Sequence, residues 1–295
     1  MTDVTRKTRI GYTGEMTMTI EWNAHIFSAD TARYPFHPNA CYRPDTSSLR
    51  DDPLEEYIKR MDAEGIDRAV LVHPEPYGDD HRLVRDCLAK CPERFRMTSL
   101  FFPRDPDAPK KLKDLAEAQP GMVATRFHAY HASSLKLDTA SAGKERQYLD
   151  RFTDANVIAL WEMAASLGLI VELHIGPRFA REVSAVIADY PETIVLIDHL
   201  AEPQEGTGPQ FADVLDLARF DNVYMKLSGL GHFSDDAPLY EAVKPFTRWV
   251  IEAFGPDRMV WGSGTPAMLD THFSDFSEAD RAKVRGLTLK RLLKW

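Results

Sequence analysis

Short apolar segments and longer amphipathic segments alternate along the chain from residue 18 to the C-terminus. The short segments are rich in Val, Ile and Leu and are typical of buried strands: Met18–Phe27, Asp67–His73, Arg94–Phe102, Gly121–His128, Leu169–His174, Thr193–His199, Asn222–Leu227 and Asp257–Gly262. The long segments have apolar residues at helical spacing: Pro53–Glu64, Asp79–Cys91, Ala108–Ala118, Asp154–Leu167, Arg178–Tyr190, Gln210–Arg219, Leu239–Phe254 and Glu278–Leu293. Strict alternation of strand and helix predicts right-handed crossovers and a parallel sheet.

The number of units indicates how the sheet is arranged. Eight strand–helix units fit within a chain of 295 residues, as in a closed (β/α)8 barrel. The alternative is an open doubly wound sheet, but no glycine-rich fingerprint follows the first strand. We therefore predict an α/β protein with a single (β/α)8 TIM-barrel domain over residues 17–295. An N-terminal arm precedes it at residues 1–16, and we expect the long loop at residues 129–144 to cover the barrel mouth.

Composition and charge exclude several classes of protein. The net charge is −9 and the basic residues form no long cluster, which argues against a nucleic-acid partner. No apolar run is long enough to span a membrane, and the N-terminus has no apolar signal region. The three cysteines, Cys41, Cys87 and Cys91, show no C-x-x-C spacing, which favours reduced thiols over a two-thiol metal site on Cys87 and Cys91. We expect a cytoplasmic protein, with a homodimer possible through the arm.

Histidines gather at the predicted ends of the strands. In a (β/α)8 barrel the C-terminal ends of the strands face the active site. Five of the ten histidines fall there, namely His25, His73, His128, His174 and His199. Because the strand ends were placed from the apolar runs, this coincidence favours a functional site over five separately buried histidines.

Several motifs resemble an amidohydrolase-related family whose best-studied members include the 2-pyrone-4,6-dicarboxylate lactonases. The matching stretches cover nearly the whole chain: Glu21–Phe27 (EWNAHIF), Arg33–Pro35 (RYP), Pro74–Asp80 (PEPYGDD), Arg126, Val171–Pro177 (VELHIGP), Leu196–Pro203 (LIDHLAEP), Lys226–Gly229 (KLSG) and Arg258–Pro266 (RMVWGSGTP). The resemblance implies an amidohydrolase-type barrel enzyme.

The chain departs from this family where metal-dependent members bind their cation. There, two histidines of strand one and an aspartate of strand eight are ligands, but Asn23 and Gly264 occupy two of these positions here. The family also includes lactonases that work without metal, although these retain the strand-eight aspartate. We therefore expect no cofactor. Zinc or manganese is the alternative, held by His25, His174 and His199.

These residues suggest a metal-independent hydrolase that acts on a small anionic lactone or ring-cleavage product. Arg126 is expected to bind a substrate carboxylate, since its guanidinium can make two parallel hydrogen bonds. A neutral His174 or His199 is the expected general base, because imidazole titrates near working pH. His25 and Lys226 are expected to stabilise the oxyanion.

The remaining strand-end residues receive supporting roles. Glu172 shares a strand face with His174 and is expected to orient it or to act directly. Asp198 is expected to point away from His199 and to be structural. Most histidines in loops and helices, His232 among them, are expected to have no role. The expected substrate contacts besides Arg126 come from Asn23, His73, Tyr77, His128 and Ser228.

Two other functions stay open from the sequence. The same barrel supports acid–base isomerases, lyases and decarboxylases, and the loss of the strand-eight carboxylate is compatible with such a change of reaction. A binding protein that has lost its chemistry is the second alternative. Arg126 and Lys226 could each also form a structural ion pair at the barrel rim.

Overall fold

The computed structural model describes residues 18–38, 40, 42–49, 52–129 and 149–295. Its eight strands pair in parallel and in chain order: β1 (Ile20–Ala24), β2 (Arg68–Leu71), β3 (Phe95–Leu100), β4 (Met122–His128), β5 (Ile170–His174), β6 (Val195–Ile197), β7 (Val223–Leu227) and β8 (Met259–Trp261). Because β8 returns to contact β1, the sheet forms a nearly closed barrel. The predicted (β/α)8 fold is confirmed.

Helices alternate with these strands: α1 (Pro53–Glu64), α2 (Arg82–Lys90), α3 (Ala108–Ala118), α4 (Ala155–Ser166), α5 (Ala180–Asp189), α6 (Gly208–Asp216), α7 (Lys244–Phe254), α8 (Pro266–His272), α9 (Glu278–Ala282) and α10 (Thr288–Leu292). The predicted last helix is divided by a π-helical turn at Lys283–Leu287, and α8 was not predicted. Within the described ranges, no helix combines the length and the apolar character needed to cross a membrane.

Local signals account for the position of α1. Asp52 caps its N-terminus by accepting hydrogen bonds from the backbone N–H groups of Leu54 and Glu55, and a proline occupies the first turn. Gly65 ends the helix in the left-handed conformation, with φ of 70°. These signals lie in the sequence itself, which is why the predicted bounds of α1 agree with the structure.

The barrel interior is apolar at its N-terminal end and polar at its C-terminal end. Side chains from alternate strand positions, such as Trp22, Val70, Leu196 and Tyr224, form an apolar cluster together with Leu289 of α10. A larger apolar cluster fills the space between the strands and the helices. Apolar side chains fill the N-terminal end of the barrel interior. The polar side chains that come later on the same inward-facing sides of the strands therefore lie together at the barrel mouth.

Some predictions lie outside the described residues. These are the N-terminal arm at residues 1–16, Cys41, His131 and nearly all of the loop at residues 129–144.

Candidate active site

Lys226 lies at the centre of the polar layer, fully buried between two carboxylates. Its Nζ atom is 2.5 Å from Oε1 of Glu172 and 2.5 Å from Oδ1 of Asp198. Trp22 donates a hydrogen bond of 2.9 Å from Nε1 to the same Glu172 oxygen. Burial and the neighbouring Asp198 raise the pKa of Glu172 to about 7. Burial acts in the same direction on Asp198, but Lys226 and Arg126 outweigh it and hold the pKa of Asp198 below its usual range.

Gly262 makes room for this ammonium. A Cβ atom at Gly262 would lie 2.6 Å from Cδ of Lys226 and 2.7 Å from Cβ of Ser228. These distances are shorter than van der Waals contact, so any other residue would displace the lysine stem. The glycine of the W-G-S segment is therefore a structural requirement of the buried ion network.

Arg126 continues the network on the opposite side of Asp198. Its Nε and Nη2 atoms donate hydrogen bonds of 2.9 Å and 2.6 Å to Oδ2 of Asp198. Nη2 also lies 3.0 Å from Nδ1 of His174. A guanidinium only donates, so Nδ1 of His174 accepts and the proton of the neutral ring is on Nε2. Burial and Arg126 hold the pKa of His174 well below its usual value, so the ring is neutral.

The prediction that Asp198 points away from His199 is wrong. Leu196 faces the barrel interior, and strand alternation places Asp198 on the same face. His199 then also turns inward, because the backbone leaves the extended conformation after Asp198. Residues 199–202 all have positive φ angles, of 50°, 54°, 59° and 48°, and form a left-handed turn.

Glu202, at the end of this left-handed turn, accepts hydrogen bonds from three side chains. His174 donates from Nε2 over 2.9 Å, and Gln204 donates from Nε2 over 2.7 Å. Nδ1 of His232 lies 3.0 Å and 2.9 Å from the two carboxylate oxygens. The carboxylate is fully buried, so these donors replace the water that would otherwise solvate it.

The structure places His232 in the cluster, contrary to the expectation that loop histidines have no role. The 3-10 turn Leu230–His232 after β7 carries its ring to a centroid distance of 5.0 Å from His199. Burial acts to lower the pKa of His232, but the hydrogen bond and charge of Glu202 outweigh it and raise the pKa. Neither periodicity nor strand position marks this residue in the sequence, since it lies beyond the strand end.

His199 presents an available ring nitrogen to the site. Its Nδ1 atom is 2.7 Å from Oγ of Ser228, and within the described part of the chain its Nε2 atom has no hydrogen-bond partner. Gly229 allows this position, since a Cβ atom there would lie 2.8 Å from the imidazole. Burial, supported by His232 and nearby cations, holds the pKa of His199 well below its usual value, so the ring is neutral. When Nδ1 of this neutral ring donates to Ser228, Nε2 carries the lone pair.

Three other predicted residues lie at the C-terminal ends of β1 and β4. His25 donates from Nδ1 to the carbonyl of Val72 over 3.0 Å, and burial and Arg126 lower its pKa to about 3. The His128 ring packs edge-on against His174, with ring centroids 4.5 Å apart. The buried Oδ1 atom of Asn23 has no hydrogen-bond partner among the residues described. A polar ligand group that donates to this oxygen would satisfy it.

His73 and Tyr77 are used within the loop that follows β2. Nε2 of His73 donates to the carbonyl of Gly78 over 2.8 Å, and the Tyr77 hydroxyl accepts a hydrogen bond of 3.0 Å from the backbone of Ser28. Both side chains are buried. Their polar atoms support the wall of the site, and direct substrate contact by either residue stays a prediction.

A metal site can be tested against these contacts. His174, His199 and Glu202 each offer one ligand atom within 4.8 Å of the others. Arg126, however, fixes His174 with its proton on the nitrogen that faces Glu202, so this cluster does not present three free ligand atoms. The site of metal-dependent relatives does not fit either: Asn23 stands at one ligand position and Gly264, with φ of 93°, at another.

Comparisons with known proteins agree with the fold and the family. The chain is 30% identical over 246 residues to 4-sulfomuconolactone hydrolase of Hydrogenophaga intermedia, covering 82% of this chain and 72% of that protein. It is 27% identical over 270 residues to L-fucono-1,5-lactonase of Burkholderia ambifaria, covering 88% and 85%. A probable 2-pyrone-4,6-dicarboxylic acid hydrolase of Acinetobacter baumannii, solved with citric acid bound, superposes with a TM-score of 0.71 at 19% identity, over 94% of this chain and 99% of that one.

The sequence model of the amidohydrolase family matches residues 20–290, from the start of β1 to α10. This range includes every residue of the cluster described above. The family resemblance seen in the motifs is thereby confirmed, and the chain belongs to the amidohydrolase family of enzymes.

Proposed function

We propose that this enzyme hydrolyses a small anionic lactone, with His199 as the general base and without a bound metal. Relatives named as lactone hydrolases support the reaction type. The observation that carries the assignment of the base is the buried imidazole of His199, whose Nε2 atom has no hydrogen-bond partner among the described residues. A neutral imidazole in this environment can take a proton from water as the water attacks a carbonyl carbon.

His174 is less suited to this role than His199. Both of its nitrogens are engaged, one by Arg126 and one by Glu202. It has no lone pair left for a water molecule in this arrangement. We assign it the task of holding Glu202 and Arg126 in place.

Lys226 is assigned a positioning role in place of the oxyanion contact expected from the sequence. Its ammonium is fully buried and lies against two carboxylates, so it has little capacity for a further anion. His25, whose Nδ1 faces Val72, leaves its other ring nitrogen for the substrate. Arg126 uses Nε and Nη2 for Asp198, and its Nη1 group is the part we assign to a substrate carboxylate.

The test is a panel of carboxylated lactones incubated with purified enzyme and followed by mass spectrometry. Hydrolysis adds the mass of one water, whereas an isomerase gives a product of unchanged mass and a binding protein gives none. We expect His199→Ala to lower kcat/KM by about 10²- to 10⁴-fold, as removal of a general base does. His272→Ala is the matched control, since His272 is equally buried but bonds Thr247 and Leu239 away from the cluster.

Metal independence is tested separately with the same assay. We expect chelated protein to retain its activity and added zinc or manganese not to increase it. Loss of activity on chelation, with recovery on adding one equivalent of metal, would contradict this part of the proposal and leave lactone hydrolysis standing.

A further inference from the structure

We infer that His232 is the general acid of the reaction, which protonates the ring oxygen as the lactone C–O bond breaks. This inference rests on the proposed function and adds a residue that neither the family resemblance nor the comparisons assign. It starts from the location of His232 beside the proposed base, with ring centroids 5.0 Å apart. Two rings at this separation can contact the same small cyclic ester, one near its carbonyl and one near its ring oxygen.

His232 is the most open side chain of the cluster. Its side chain is 42% exposed, compared with 9% for His174 and 0% for Glu202. Its Nδ1 atom is bonded to Glu202, and none of the described residues bonds its Nε2 atom. The exposed ring nitrogen can therefore meet a bound ligand and can recover a proton from solvent after each turnover.

The charges around His232 favour its protonated form over that of His199. Glu202 faces it directly and is itself unable to donate, because it already accepts from His174 and Gln204. His174 and His199 face His232 as neutral rings, while burial and the charge of the more distant Arg126 act against its protonation. The carboxylate contact outweighs them and raises the pKa of His232, while burial lowers that of His199. Opposite shifts in two neighbouring groups are the usual signature of an acid–base pair.

The proposed step balances in atoms and protons. Water attacks the carbonyl carbon and gives one proton to Nε2 of His199, which leaves a tetrahedral oxyanion. When this collapses, the carbonyl re-forms, the ring C–O bond breaks, and the departing oxygen takes the proton from Nε2 of His232. The product is a hydroxy acid, and the proton on His199 restores His232 directly or through solvent.

The experiment compares two classes of carboxylated lactone in the wild type and in His232→Asn. In the first class the ring oxygen leaves as an aliphatic alkoxide, which needs a proton. In the second it leaves as a phenolate, whose conjugate acid has a pKa of about 10, as tyrosine does, and which needs little help. Asparagine can keep the hydrogen bond to Glu202 but cannot transfer a proton, so the variant separates acid catalysis from positioning.

We expect His232→Asn to lower kcat/KM by about 10²- to 10³-fold for the aliphatic class and by less than about tenfold for the phenolic class. The basic limb of the pH profile should disappear in this variant. In Glu202→Gln it should move to lower pH, because the contact that favours the protonated imidazole is weakened. An equal loss for both classes, or an unchanged basic limb in His232→Asn, would overturn the assignment while leaving the proposed function intact.

A second measurement does not depend on turnover. In protein labelled with 15N at histidine, NMR titration should show that His232 keeps its second ring proton to higher pH than His199. The opposite order would refute the inference. If the wild type hydrolyses neither lactone class, the proposed function itself fails, and the general-acid assignment fails with it.

Discussion

Replacing Lys226 with methionine tests the buried ion network most directly. Methionine keeps much of the aliphatic volume and removes the charge. Asp198 would keep its two hydrogen bonds to Arg126, whereas Glu172 would keep only the bond from Trp22. Removing one partner of a buried ion pair costs about 3–5 kcal/mol, because the other charge is left without compensation. We expect Lys226→Met to lower the free energy of unfolding by up to that amount at about pH 9, where Glu172 of the wild type is ionised, measured by urea denaturation.

The pH dependence of this loss has a definite sign. The pKa of Glu172 is raised to about 7 with Lys226 present, and it should rise further without it. The unfolded value is about 4.3, so the folded state binds the Glu172 proton more tightly. The stability of the variant therefore falls as pH rises from about 4.3 through the folded-state pKa. The deficit relative to wild type should be larger at high pH than at low pH.

Two variants serve as controls for this prediction. In Glu172→Gln/Lys226→Met the stranded charge is also removed, and most of the lost stability should return. Lys283→Met removes a lysine that also lies near two carboxylates, Asp257 and Asp280, but with its side chain 34% exposed. This exposed pairing should be worth less than about 1 kcal/mol. A loss below about 1 kcal/mol in Lys226→Met, or no recovery in the double variant, would refute the account of the network.

Three further predictions concern the walls of the site. Gly262→Ala should lower the free energy of unfolding, measured by urea denaturation, by about 1–3 kcal/mol, because the new Cβ atom would overlap Lys226. Gly208→Ala is the control. It should be near neutral, because no atom lies within 4 Å of the position of its Cβ atom. Gly264→Asp, which introduces the carboxylate that the resembled family has on strand eight, should lower the free energy of unfolding by about 1–2 kcal/mol, because φ at this position is 93°, a backbone conformation that side chains rarely adopt. A stability equal to wild type would contradict this. The contact with Glu202 stabilises the fold through protonated His232, fully so below the pKa of an unfolded histidine. This stabilisation should be lost as pH rises through the raised pKa of the folded state. The difference in the free energy of unfolding between wild type and His232→Asn should therefore shrink across that pH range in urea titrations.

The sequence predicts the architecture well because its signals are local. The bounds of α3, Ala108–Ala118, agree with the structure, as do those of α1. Strand ends are predicted less well, since apolar residues continue beyond the paired segment. The predicted strand Thr193–His199 shortens to Val195–Ile197, because pairing stops before the left-handed turn. Helix α8 is short, and its N-cap at Thr265 lies within the family motif of strand eight, so periodicity does not reveal it.

The site is predictable only as far as strand alternation reaches. Alternation correctly places Glu172 and His174 on one face, and both are buried in the barrel. It does not predict which charges pair: Arg126 binds Asp198, a residue 72 positions away. It also fails at His199, where the backbone changes handedness, and at His232, which a tertiary contact with Glu202 brings into the cluster. These pairings depend on the closed barrel and are not encoded in any local window.

The left-handed turn after β6 has a consequence for how this enzyme can diverge. The proposed base, the buried acceptor Glu202 and the adjacent ion-pair partner Asp198 all come from one five-residue stretch of backbone. None of the residues with positive φ in it is glycine, and each left-handed residue of this kind costs about 1–2 kcal/mol. One residue inserted into or deleted from this stretch would change the direction of the Asp198, His199 and Glu202 side chains together. We therefore expect substitutions that change the substrate to be tolerated better in the other loops of the barrel mouth. There, one side chain can change while residues 198–202 keep their backbone conformation.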